Sequence, residues 1–109
     1  MTYDDQNIFA RIIRGELPAI KVYEDDRVLA FMDIMPQAEG HTLVIPKFPA
    51  VTLLDLDPAE AAYTIKIVQN VAKAMEKALD VKGIVLMQLS GTSAGQTVPH
   101  VHFHLIPSS

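Results

Sequence analysis

Cysteine is absent from this chain of 109 residues. That absence excludes a disulfide framework, a thiolate nucleophile and a thiolate metal site, and it fits a reducing, cytoplasmic setting. A basic excess is also lacking: nine Lys and Arg face thirteen Asp and Glu, for a net charge of -4. General nucleic-acid binding needs a basic footprint that releases counterions, so that class is excluded and any anionic ligand must be held locally. No apolar run approaches the roughly 20 residues that span a bilayer, and the opening Met1-Thr-Tyr-Asp-Asp-Gln-Asn7 has neither the basic start nor the apolar stretch of a secretory signal. The expectation is an unexported chain with no membrane partner. Internal repeats, low-complexity tracts and linkers are missing too.

Half of the residues are hydrophobic, enough for one domain over residues 1–109 with a single core. So short a chain buries only part of its surface alone, and the expected remedy is an apolar face shared in a homodimer. Ile8, Phe9, Ile12 and Ile13 recur at helical spacing within Asn7–Arg14, before Gly15 and Pro18. Ile20–Tyr23 and Val28–Met32 suit extended structure around a polar turn, and His41–Pro46 suits a third strand. Asp57, Pro58 and Glu60 open a long helix whose apolar face reads Ala61, Ile65, Val68, Val71, Ala72, Met75 and Leu79. Ile84–Leu89 reads as a buried strand, Ser90–Gln96 as a loop of small residues, and Pro99–Ile106 as a strand that Pro107 ends. The sum is α+β with a mainly antiparallel sheet.

The chemistry concentrates in that last segment. An extended chain places His100, His102 and His104 on one face and Val101, Phe103 and Leu105 on the other. Neighbouring histidine Cα atoms are then about 6.6 Å apart, close enough for the imidazoles to share one substrate group. A His-x-His pair also suits a metal, with His41 or Asp33 as a third ligand. The preceding Ser90–Thr97 segment favours phosphate instead: Gly91 and Gly95 admit close approach, and backbone N–H groups with Gln96 and Thr97 form a cradle. After Lys82 the chain has no Asp, Glu, Lys or Arg. No acid in that segment can orient an attacking His102, so its Nδ1–H is expected on a backbone carbonyl, with Nε2 bare toward phosphorus.

At His100-Val-His-Phe-His-Leu-Ile106 the chain resembles the histidine triad family, Hint-like branch. The likeness extends through Asn7–Pro18, Phe31–Ile34, Pro36-Gln37, Gly40–Lys47 and Ala94–His100. It implies a five-stranded antiparallel sheet with one short and one long helix, extended across a homodimer. It further implies a nucleotide hydrolase or transferase that cleaves a P–N or phosphoanhydride bond through a covalent nucleotidyl-histidine and uses no cofactor or metal. By this resemblance His102 is the nucleophile, His100 and His104 orient phosphate and assist the leaving group, and His41 supports them. Asp33 binds ribose hydroxyls, Ile34 lies beside a purine base, and Gly95, Gln96 and Thr97 bind phosphate.

Two departures stand out. Leu89 and Ser90 occupy the place of a phosphate-binding asparagine; Leu89 donates nothing, whereas Ser90 can substitute in part. Asn7, Ala10 and Pro49 replace the ligands of a zinc site found in some bacterial members, so no zinc is expected there. The sequence also stops at Ser109, where relatives often continue into a tail that influences substrate choice, and that contribution is expected to be missing. A nucleoside phosphoramidate is the expected substrate, because an amine leaving group wants a proton and a polyphosphate wants cations that this segment lacks. Dinucleoside polyphosphate hydrolysis, a non-catalytic nucleotide-binding or scaffold role, and a metal-binding role are the alternatives.

Overall fold

The computed structural model describes residues 2–109. Helix α1 (Ile8–Ile13) starts where the Asn7 side chain accepts the Ala10 N–H at 2.9 Å, the capping geometry that satisfies an otherwise orphaned donor. Strands β1 (Lys21–Glu24), β2 (Val28–Met32) and β3 (Thr42–Pro46) follow, then α2 (Pro58–Leu79), β4 (Gly83–Met87) and β5 (Phe103–Ser108). Asp57 caps α2 through the Ala59 and Glu60 amides, Pro58 sits in its first turn, and Asp80 closes it in the left-handed region. The five strands form one antiparallel sheet in the order β1-β2-β3-β5-β4.

The period-two pattern divides the core between the two faces of this sheet. Val28, Ala30, Val44, Val101, Phe103 and Leu105 pack with Ile67, Val68, Val71 and Met75 of α2. Leu29, Phe31, Leu43 and Ile45 pack with Phe9 and Ile12 of α1. Fully buried side chains such as Leu29, Ile45 and Leu105 each contribute about 2 kcal/mol through removal from water. The two helices thus fix which sheet face carries which side chains, and the α1 face is the one that holds the histidines.

Several boundaries differ from expectation. Strand β5 begins at Phe103, because the His100 N–H bonds to Val98 O and the Val101 N–H to Ala50 O, which takes both out of the sheet ladder. Pro107 lies inside β5 and does not end it. It pairs with Ile84 of β4, while β3 begins opposite Leu105, so no neighbour awaits the N–H that proline lacks. The fourth strand stops at Met87 short of Leu89, and β1 runs one residue later than Ile20–Tyr23, with a bulge between Lys21 and Tyr23. On α2 the buried stripe is rotated from the expected one: Thr64 and Ile67 are inside, and Ile65 is exposed. Thr64 tolerates this because its hydroxyl donates to Glu60 O at 2.7 Å.

Candidate active site

A cavity of about 770 Å³ opens between α1, the end of β2 and the loop before β5. Its walls are largely apolar, with Phe9, Ile12, Phe31 and Leu43 lining it together with Asp33, His102 and His104, and no Lys or Arg lines it among the described residues. The expected site residues Ile34, Leu89, Gly95 and Thr97 also border it. The α1 residues were legible in the sequence only as core. Phe9 serves both purposes, since its ring meets the His102 ring edge-on at 4.9 Å.

His102 is nearly buried, and its Nδ1 lies 2.7 Å from the His100 carbonyl oxygen. A carbonyl only accepts, so Nδ1 carries the proton and Nε2 keeps a bare lone pair on the cavity side. This is the backbone orientation expected of a segment without acids. Burial lowers the His102 pKa, against an opposing pull from the carbonyl and from Asp33, and so favours the neutral form.

His104, with its ring 5.0 Å from that of His102, is set by a second chain of contacts. The Gln37 N–H donates to His41 Nδ1 at 3.1 Å, and His41 Nε2 lies 2.9 Å from His104 Nδ1. Because His41 Nδ1 accepts, its Nε2 must hold the proton and donate it to His104 Nδ1; His104 therefore carries its own proton on Nε2. Burial, then the neighbouring His102 and His41, push its pKa down to about 4. Asp33 completes the cluster, with Oδ1 accepting the Met35 N–H at 2.9 Å and Oδ2 lying 3.4 Å from His41 Nε2.

Donor atoms of Asp33, His41 and His104 lie within 4.8 Å of one another, a spacing that admits a metal ion. The proton order argues against it. A ligating imidazole protonates its other nitrogen, but His41 Nδ1 is occupied as an acceptor, so Nε2 cannot give up its proton without breaking the Gln37 bond.

His100 departs from its expected place beside phosphate. It is fully buried behind His102, outside the cavity lining, with Nε2–H donating to Pro46 O at 2.7 Å and Nδ1 accepting from the Tyr3 hydroxyl at 2.5 Å. Burial pushes its pKa down to about 4, opposed by the Pro46 carbonyl. The alternation of the sequence shows which face His100 occupies but not that Pro46 O and Tyr3 take up its ring nitrogens there.

The phosphate-cradle residues also divide. Gln96 is turned inward as a brace: Oε1 accepts the Gly91 N–H at 2.8 Å, and Nε2 donates to Val51 O at 2.6 Å and Val98 O at 2.9 Å. Ser90 donates to Gln88 at 2.8 Å and accepts from Leu53 N at 3.4 Å, and it does not line the cavity. The amides of Ala94, Gly95 and Gln96 bond within the loop to Gly91 and Thr92. Thr97, whose N–H takes no part in those bonds, and Gly95 remain on the cavity. Gly95 has φ of 103°, and a Cβ there would stand 3.2 Å from Leu89 Cδ1, so both backbone and space call for glycine.

Neutral buried histidines have a cost in acid. The unfolded chain takes up protons below about 6.5, whereas folded His100 and His104 resist until about 4, so falling pH favours unfolding across that window. At buried His100 the effect is about 3 kcal/mol in full. The urea midpoint is expected to stay level above neutral pH and to fall from pH 6.5 to 5, above the carboxylate range; a level midpoint there would contradict the assignment.

An antiparallel five-stranded sheet whose α1-side face carries an imidazole row above an apolar cavity defines a histidine-triad architecture. The chain belongs to the HIT domain family, whose pattern matches residues 14–109. A HIT-like protein from Bartonella henselae, described as involved in cell-cycle regulation, superposes with a TM-score of 0.96 at 55% identity, over 98% of this chain and 80% of that one. The adenosine 5'-monophosphoramidase HNT1 of Saccharomyces cerevisiae is 42% identical over 106 residues, 97% of this chain and 65% of its own length. The adenylylsulfatase HINT3 of Arabidopsis thaliana is 38% identical over 106 residues, 97% of this chain and 54% of its own.

Proposed function

We propose that this protein hydrolyses purine nucleoside phosphoramidates through a nucleotidyl-His102 intermediate. The observation that carries this reading is the pairing of opposite proton states on one cavity: His102 presents a bare Nε2, and His104 beside it presents Nε2–H. The base lies in the apolar chamber of Phe9, Phe31 and Leu43 with Ile34 at its edge, Asp33 accepts from the ribose hydroxyls, and Thr97 meets the phosphate where Gly95 leaves room for it.

In the first step the His102 Nε2 lone pair forms a bond to phosphorus and the P–N bond breaks, its electrons leaving on nitrogen. A neutral His104 that surrendered its Nε2 proton would become an imidazolate, so its role is to donate a hydrogen bond to a phosphoryl oxygen as charge develops. The proton on the departing nitrogen arrives with the substrate, as the protonated P–N nitrogen of the phosphoramidate, and the amine or ammonia departs neutral. Water then attacks phosphorus, His102 Nε2 leaves with its electron pair, and the water's proton passes to the released amine. The products are a nucleoside monophosphate and an ammonium ion.

The cavity's lack of cationic side chains favours this leaving group over a polyphosphate. Steady-state kinetics with adenosine phosphoramidate and with diadenosine tetraphosphate tests it: kcat/KM is expected to favour the phosphoramidate by about 100-fold or more, and the reverse order would overturn the assignment. Leu89 contributes no donor to a phosphate, so Leu89→Asn is expected to tighten adenosine monophosphate binding about fivefold in calorimetry.

The homodimer and a cytoplasmic location belong to the same proposal. Edge strand β4 exposes about half of Val85 and Leu86, which supports continuation of the sheet into a second copy. Light scattering tests this, with a dimer mass expected and a monomer mass contradicting it. The cytoplasmic assignment is supported by the absence of cysteine.

A further inference from the structure

The segment before α1 reaches the back of the histidine row. The Asn7 backbone and side-chain N–H groups both donate to Asp4 O, at 3.2 and 2.7 Å, and Arg14 Nη1 donates to Asp5 O at 2.7 Å. This anchoring delivers the Tyr3 ring edge-on to His100, centroids 5.6 Å apart, with its hydroxyl on His100 Nδ1. His100 is thereby held at three points: Tyr3 on Nδ1, Pro46 O on Nε2, and its own carbonyl on His102 Nδ1.

We propose that Tyr3 is a positioning residue for His102, acting through His100 to fix the carbonyl that orients the attacking imidazole. The inference rests on the reading of His102 as nucleophile. His100 is fully buried, so without the hydroxyl its Nδ1 lone pair faces no donor. The ring can then gain a partner only by turning, and turning gives up Pro46 O and moves the backbone that holds His102. Tyr3 lies outside the cavity lining, so its effect falls on the rate of attack and not on substrate binding.

Tyr3→Phe keeps the ring and removes only the hydroxyl. With adenosine phosphoramidate, rapid-quench kinetics is expected to show adenylation slowed about tenfold at saturation with KM within about twofold, the size of one lost hydrogen bond. Imidazole nitrogen NMR is expected to show His100 protonated on Nε2 in both proteins, with its Nδ1 signal moving to the position of an unbonded nitrogen in the variant. An unchanged adenylation rate, or a loss confined to KM, overturns the proposal. So does a wild-type spectrum in which His100 Nδ1 is already unbonded, a reading that needs no folded variant. Failure of the wild type to adenylate His102 overturns the underlying function instead, while the spectra still report whether Tyr3 holds His100.

Discussion

His102→Ala is expected to reduce phosphoramidate turnover by about 10⁴-fold or more, the scale on which removal of a covalent nucleophile acts. Residual hydrolysis comes from binding and from the remaining donors. The substitution leaves the His100 carbonyl without its partner and a gap beside Phe9, a stability cost of about 1–3 kcal/mol, so circular dichroism should still report a folded protein. His100→Ala is the informative contrast. Its ring touches Tyr3 and Pro46 and does not line the cavity, so much of its effect should appear as a lowered urea midpoint. Turnover losses of equal size with equal stability in the two variants would mean that His100 works at the phosphate after all.

His104→Ala is the second large effect, at about 10²- to 10³-fold in kcat, the magnitude attached to one preorganised donor at a developing oxyanion. The expectation differs from that for a general acid. Because the neutral His104 offers a hydrogen bond and keeps its proton, the loss should be similar for substrates whose leaving groups differ in basicity. An acid would be needed far more for the more basic amine, and a loss that grows steeply with amine basicity would restore proton transfer to His104.

Much of this arrangement was legible in the residues. The three-fold alternation from Val101 to Leu105 assigned the core face correctly, because a period of two depends only on backbone geometry. The absence of acids after Lys82 led to a backbone partner for His102, and the His100 carbonyl is that partner. What the sequence could not supply were contacts made by backbone atoms distant in the chain. Ala50 O takes the Val101 N–H out of the ladder, Pro46 O holds the His100 ring, and Gln37 N–H sets the proton order of His41 and His104. No residue type encodes those partners. Gln96 shows the same limit from the other side: its amide suited a phosphate, but Gly91, Val51 and Val98 satisfy it first. Phe9 was hidden by helical periodicity, which cannot distinguish a side chain facing the core from one that also walls a cavity.

The proposed reaction passes through a covalent bond between His102 Nε2 and the α-phosphorus of the substrate. Rapid mixing with adenosine phosphoramidate, quenching without acid and peptide-level mass spectrometry tests it most directly. One adenylate group per chain is expected, located on His102, appearing before steady turnover and absent from His102→Ala. Turnover with an unmodified His102, or with the adenylate on another residue, would contradict it.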